Sequence, residues 1–166
     1  MSGGVALGLL FAAMSAGAVI GGVFSGWLPG VRYQGRAVVV CIVAWGLAMV
    51  GFGVAVGFAT PESSVALLWV ALGFLAFGGA VDMVSAAFRS TMLQQVATDE
   101  MRGRLQGVFI VVVAGGPRIG DVLHGAAAFA VGTAAAAAGG GVLVVIGVGL
   151  ACLAFPMFLR YRVRRD

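Results

Sequence analysis

Asp82, Arg118, Asp121 and His124 are the residues of this sequence whose types and surroundings point to chemistry. Each stands in an otherwise apolar run. Asp82 falls in Val65–Phe88, and the other three fall in Leu105–Phe129 at successive i,i+3 steps that one helix face can present together. An ionised group facing lipid is expensive, so that face must look into protein or a wet cavity. Two readings stay open. In one, these side chains contact a substrate or couple a proton, with Arg118 and Asp121 paired or either paired with Asp82. In the other they form an internal ion pair that fixes helix packing, with His124 satisfied near the outer end.

Other chemistry finds little support. No His, Cys, Asp and Glu cluster has metal-ligand spacing, and there is neither a nucleophile elbow nor a Walker-type phosphate loop. His124, the single histidine, has no serine or cysteine near it in sequence. Cys41 and Cys152 lie inside apolar runs and read as small buried side chains rather than a disulfide framework. No filter-like loop or ring-forming charge series marks a pore. The expectation is a protein that is not an enzyme and needs no metal or cofactor, with a small molecule as its substrate.

The elements that position these residues are long apolar stretches. Val5–Trp27, Ala37–Thr60, Val65–Phe88, Leu105–Phe129 and Val142–Leu159 are each of a length to cross a hydrocarbon core of about 30 Å as a helix. With 61% hydrophobic and 10% charged residues, and a mean hydropathy of +1.11, an ordinary soluble domain is excluded. The fold class predicted is all-α: one polytopic transmembrane bundle of five helices over residues 1–166.

Every basic side chain is arginine. Arg32 and Arg36, then Arg89, Arg102 and Arg104, then Arg160, Arg162, Arg164 and Arg165 lie in alternate connections, and Arg118 alone falls elsewhere. The positive-inside rule places loops 28–36 and 89–104 and the C-terminus in the cytoplasm and the N-terminus outside, in a multi-pass protein of the cell inner (plasma) membrane. The net charge of +4 then reads as topology and contact with membrane lipid, not as a nucleic-acid surface. Met1–Gly4 lacks the positive region of a signal peptide. An outside N-terminus with an odd span count predicts that the chain is the C-terminal piece of a longer protein.

Glycine contributes 28 residues, which suits close helix packing in lipid: Gly17-x-x-x-Gly21, Gly22-x-x-x-Gly26, Gly53-x-x-x-Gly57 and Gly116-x-x-x-Gly120 form stripes of small residues. Trp69 and Trp27 are expected at the outer and inner interfaces, and the deeper Trp45 packs or lines a cavity. Ala134–Gly141 reads as a loose outer connection. Pro117 and Pro156 predict bends, the first where a transporter helix could bind or gate.

The segment Phe88-Arg89-Ser90-Thr91-Met92-Leu93-Gln94-Gln95-Val96-Ala97-Thr98-Asp99-Glu100-Met101-Arg102-Gly103-Arg104-Leu105-Gln106-Gly107 resembles the loop between helices ten and eleven of major facilitator superfamily exporters, where an acidic turn leads into Arg-Gly-Arg. It is most similar to the subfamily of the bacterial enterobactin (siderophore) exporter. Gly115-Gly116-Pro117-x-x-Gly120 and Gly125 resemble that subfamily's eleventh helix, and the five spans resemble its helices eight to twelve, part of the C-terminal half of the fold. Gly35-Arg36 matches the end of the superfamily's cytoplasmic Asp-Arg-x-Gly-Arg-type loop, but no aspartate fills the middle, so gating by charge through that loop is in doubt. The resemblance implies proton-coupled efflux of a siderophore or another small amphiphilic metabolite, or a multidrug carrier. Asp82 and Asp121 would be the coupling acids, and Arg36, Arg102, Arg104 and Pro117 would serve gating or topology. It also implies missing N-terminal transporter helices or a complementary fragment as partner. A non-transporting membrane scaffold or regulatory half-module is the reading from a different class.

Overall fold

The computed structural model describes residues 3–60, 63–96 and 100–161. Helix α1 (Gly3–Val23) runs into a 3-10 segment (Phe24–Gly30), followed by α2 (Gln34–Gly57), α3 (Ser64–Val96), α4 (Arg102–Val131), α5 (Thr133–Ala154) and the short α6 (Pro156–Leu159). Among the described residues there is no strand, and five helices are long and apolar enough to cross a membrane. None of them has a strongly one-sided distribution of apolar residues. That absence suits helices whose solvent is hydrocarbon and whose neighbours are no more apolar than lipid.

The helices stand in the order α1, α3, α2, α5, α4, with α2 held between α3 and α5. Glycine makes these contacts. Gly17 and Gly21 of α1 face the backbones of Ala76 and Ala80 on α3, and Gly79 of α3 faces the carbonyl of Met14. The rising register shows that α1 and α3 run parallel. Gly46 and Gly53 of α2 face Gly141 and Ala134 of α5 in falling register, so these two are antiparallel. Of the stripes read from sequence, Gly17/Gly21 and Gly53/Gly57 pack within the chain, whereas Gly116 and Gly120 of α4 meet nothing within 4 Å.

α1, α3 and α5 therefore end on the same side. That side carries Arg32, Arg36, Arg102, Arg104 and Arg160, together with a core of Leu28, Val38 and Phe88 packed between the 3-10 segment, α2 and α3. Arg36 ties the start of α2 to the chain's end: its Nε donates to the Leu159 carbonyl (3.2 Å) and its guanidinium lies 4.7 Å from the Tyr33 ring centre. Trp69 is exposed near the start of α3, at the opposite end.

Several boundaries differ from those read off the sequence. α3 continues eight residues past Phe88, so Arg89 is helical and not part of a loop over 89–104. Arg102 and Arg104 likewise occupy the first turn of α4. The Ala134–Gly141 stretch is not a loose connection: it is helical and packed, because its alanines and glycines let α5 approach α2 closely. The fifth span thus begins at Thr133 rather than Val142. Its connection to α4 is the single residue Gly132, at φ 86 and ψ 153, a region essentially open to glycine alone. α5 ends at Ala154 because Pro156 can neither donate to the helix nor tolerate a helical residue before it. α4 runs through Pro117 without interruption. Glu62, Ala97–Asp99, Arg162, Arg164, Arg165 and the Trp27 side chain, which entered the topology reading, lie outside the described residues.

A Cβ at Gly79 would collide with the Met14 carbonyl, whereas one at Gly73 on the same helix meets nothing within 4 Å. Gly79→Ala is therefore expected to destabilise the bundle by about 1–3 kcal/mol, the range for forced overpacking. Gly73→Ala should be neutral or stabilising by up to about 1 kcal/mol through helix propensity. Unfolding in mixed micelles followed by circular dichroism separates the two, and equal behaviour would refute the packing described.

Candidate functional site

Asp82 belongs to a face of α3 that repeats polar residues at i, i+3 and i+7: Asp82, Ser85 and Arg89. On a helix these stack on one side, and long side chains lean toward the N-terminal turn. Arg89 accordingly reaches back along α3, and its Nη2 donates to Asp82 Oδ1 at 3.5 Å. Measured from Trp69, Asp82 lies about 20 Å along the helix and Arg89 about 30 Å.

Opposite this face, α2 presents Cys41 and Trp45, and α5 presents Val144. Together they line a half-open cleft of about 240 Å³. Ser85 is 2% exposed and its Oγ has no hydrogen-bond partner; Arg89 Nε is likewise buried and unpartnered. A buried polar atom without a partner costs about 1–3 kcal/mol. The residues that line the cleft therefore carry, besides an ion pair, one hydroxyl and one guanidinium N–H that no protein group satisfies. The side chains of Arg89 and Asp82 are 38% and 55% exposed, so the pair is open toward the cleft and its surroundings and not sealed in the bundle. Trp45 supplies a flat apolar wall; of the two sequence readings, packing or lining a cavity, it does the second.

The sequence-predicted residues do not all meet here. Arg118 and Asp121 are exposed on α4 and form neither an ion pair with each other nor one with Asp82. α4 leans on α5 and barely touches α3, so the partner available to Asp82 is Arg89, on its own helix. His124 is turned elsewhere. Its Nδ1–H donates to the Gly120 carbonyl one turn back (2.9 Å), and its ring sits against Gly140 of α5 at a second cavity of about 410 Å³. Three residues at i,i+3 steps span about 120° of a helix, so with His124 against α5, Arg118 is carried round to a side that no described helix covers.

Arg89 and Ser85 were the residues sequence reasoning missed. Arg89 was counted as a loop charge because the third span was closed at Phe88. The signal that would have found both is the Asp82-x-x-Ser85-x-x-x-Arg89 spacing. No protein-family model, no curated protein and no solved structure matches this chain.

If the Asp82–Arg89 pair acts as one unit, removing either partner strands the other. Asp82→Asn and Arg89→Gln are each expected to lower stability, and the double variant to lose less than the sum, with a coupling of about 0.5–2 kcal/mol. Additive losses in a double-mutant cycle, measured by unfolding in mixed micelles, would show that the two charges do not depend on each other.

Proposed function

We propose that this chain forms part of a multi-pass carrier of the cell inner membrane, and that the Asp82–Arg89 cleft is where it couples proton movement to the passage of a small molecule. The observation that carries the reading is an ion pair set within an apolar span, beside a cleft whose remaining polar atoms, Ser85 Oγ and Arg89 Nε, have no protein partner. A purely structural pair gains from having its spare hydrogen-bonding capacity satisfied by protein. Ionisable residues within spans commonly mark proton relays and substrate paths.

In this reading the site opens on the arginine-bearing side with Asp82 deprotonated and takes the guest there, Arg89 and Ser85 offering donors to an acceptor on it while Trp45 covers its apolar part. A proton taken up at the Asp82 carboxylate from the opposite side breaks the pair with Arg89 and expels the guest on that side. Loss of the proton on the arginine-bearing side re-forms the pair and readies the site for the next guest. The resemblance to major facilitator exporters makes a siderophore of the enterobactin type the first candidate substrate, with drug-like amphiphiles next, and the positive-inside rule supports a cytoplasmic arginine-bearing end and C-terminus. α4 has no buried residue, and its Arg118 and Asp121 would each cost about 2.5–3.5 kcal/mol facing the bilayer centre. This supports a working assembly in which further transporter helices, or a complementary fragment, cover that face.

The test is efflux from bacterial cells that lack their major exporters and express the full gene product. Release of a labelled catecholate siderophore and of an amphiphilic dye is followed with and without a proton uncoupler. The expected result is uncoupler-sensitive release, reduced at least about tenfold by Asp82→Asn, in keeping with the typical 10²–10⁴ range of proton-transfer contributions, and partly restored by Asp82→Glu. Wild-type release by Asp82→Asn would remove Asp82 from coupling. No uncoupler-sensitive release of either compound by the wild-type protein would favour the scaffold reading.

A further inference from the structure

A third cavity, of about 420 Å³, opens between α2 and the α5–α6 corner, and its walls are apolar. Val38 and Ile42 form one side, Val148 and Ala151 the other, and Phe155 and Phe158 close its arginine-bearing end. The crevice exists because α5 stops before Pro156. The turn at Phe155 swings α6 across the start of α2, where the Phe158 carbonyl meets the bare backbone of Gly35. Cavities of about 150 Å³ with such walls hold a benzene, so this one has room for a length of hydrocarbon chain.

The charges around its mouth are of one sign. Arg36 and Arg160 are exposed at the corner that Phe158 closes, held there by the Arg36–Leu159 bond, and the Arg89 side chain contributes to the wall. No described acidic residue lines the crevice: Asp82 lies beyond it, engaged by Arg89, Glu100 precedes α4 and Asp121 lies on α4. An apolar slot entered beneath two arginines at the membrane boundary matches one kind of molecule, a lipid whose head is anionic. Basic pockets between spans on the inner side are known to favour such headgroups, each arginine contributing a few-fold in affinity.

We infer that the α2–α5–α6 crevice is a specific site for an anionic phospholipid, with an acyl chain lying along Val38, Ile42, Val148 and Ala151 and the phosphate held by Arg36 and Arg160. The site adjoins the Asp82 cleft, sharing Ile42 and Arg89 with it, and does not depend on the transport reading. Its role is to hold the α5–α6 corner against α2, since both walls of the slot gain contacts when the chain fills it.

Native mass spectrometry of the full gene product, released from detergent and titrated with phosphatidylglycerol or with phosphatidylcholine of identical chains, tests this directly. The wild-type protein should retain one phosphatidylglycerol at least about tenfold more tightly than phosphatidylcholine, at roughly fivefold per arginine. Ala151→Trp, which fills the slot, should abolish that one retained lipid. Arg160→Gln, at an exposed position whose loss leaves the fold intact, should cut the preference about fivefold while phosphatidylcholine binding stays unchanged. Equal retention of the two lipids by the wild-type protein, or an unchanged preference in Arg160→Gln, would overturn the proposal.

Discussion

Between helices dissolved in hydrocarbon, burying apolar area releases almost no free energy, because lipid tails are as apolar as leucine. What remains is dispersion, and dispersion falls away within an ångström of the optimum. The bundle therefore depends on how closely backbones approach, and approach is governed by the absence of side-chain atoms at a few positions. Gly17, Gly21 and Gly79 bring α1 and α3 backbone to backbone, and Gly46, Gly53 and Gly141 do the same for α2 and α5. The α2–α3–α5 unit built this way is the frame from which Asp82, Ser85 and Arg89 face Cys41 and Trp45.

The contrast between α4 and the rest follows from the same constraint. Its glycines at 103, 107, 115, 116, 120 and 125 meet nothing within 4 Å, although by composition they resemble those that pack. It is also the helix with most to hide, since Arg118 and Asp121 lie on it without partners among the described residues. Where the other helices match small residues with small residues, α4 sets the His124 ring against Gly140 of its neighbour.

Much of the architecture was legible in the sequence: five apolar runs, arginines gathered at one end, small-residue stripes at Gly17/Gly21 and Gly53/Gly57, and a tryptophan at a cavity wall. The ends of the helices were less so. Hydropathy marks where a helix leaves the hydrocarbon and says little about where the helix stops, so α3 was cut short at Phe88 and its last turns were read as loop. The Ala/Gly tract at 134–141 misled for the opposite reason: low side-chain bulk resembles a linker in composition and a tight interface in space. The pairing of Asp82 escaped sequence reasoning because intramembrane charges invite partners on other helices, whereas an arginine two turns along the same helix reaches back far enough to serve.

The single-residue join at Gly132 bears on how the chain enters the membrane in the first place. With no spacer between them, α4 and α5 are neighbours across a single turn, an arrangement suited to entering the membrane as a pair. α5 carries no charged side chain and α4 carries Arg118 and Asp121; entering together, the apolar partner offsets the unfavourable partitioning of the polar one. The glycine that permits the turn thus lets a helix too polar to insert comfortably alone be drawn into the bilayer by its successor.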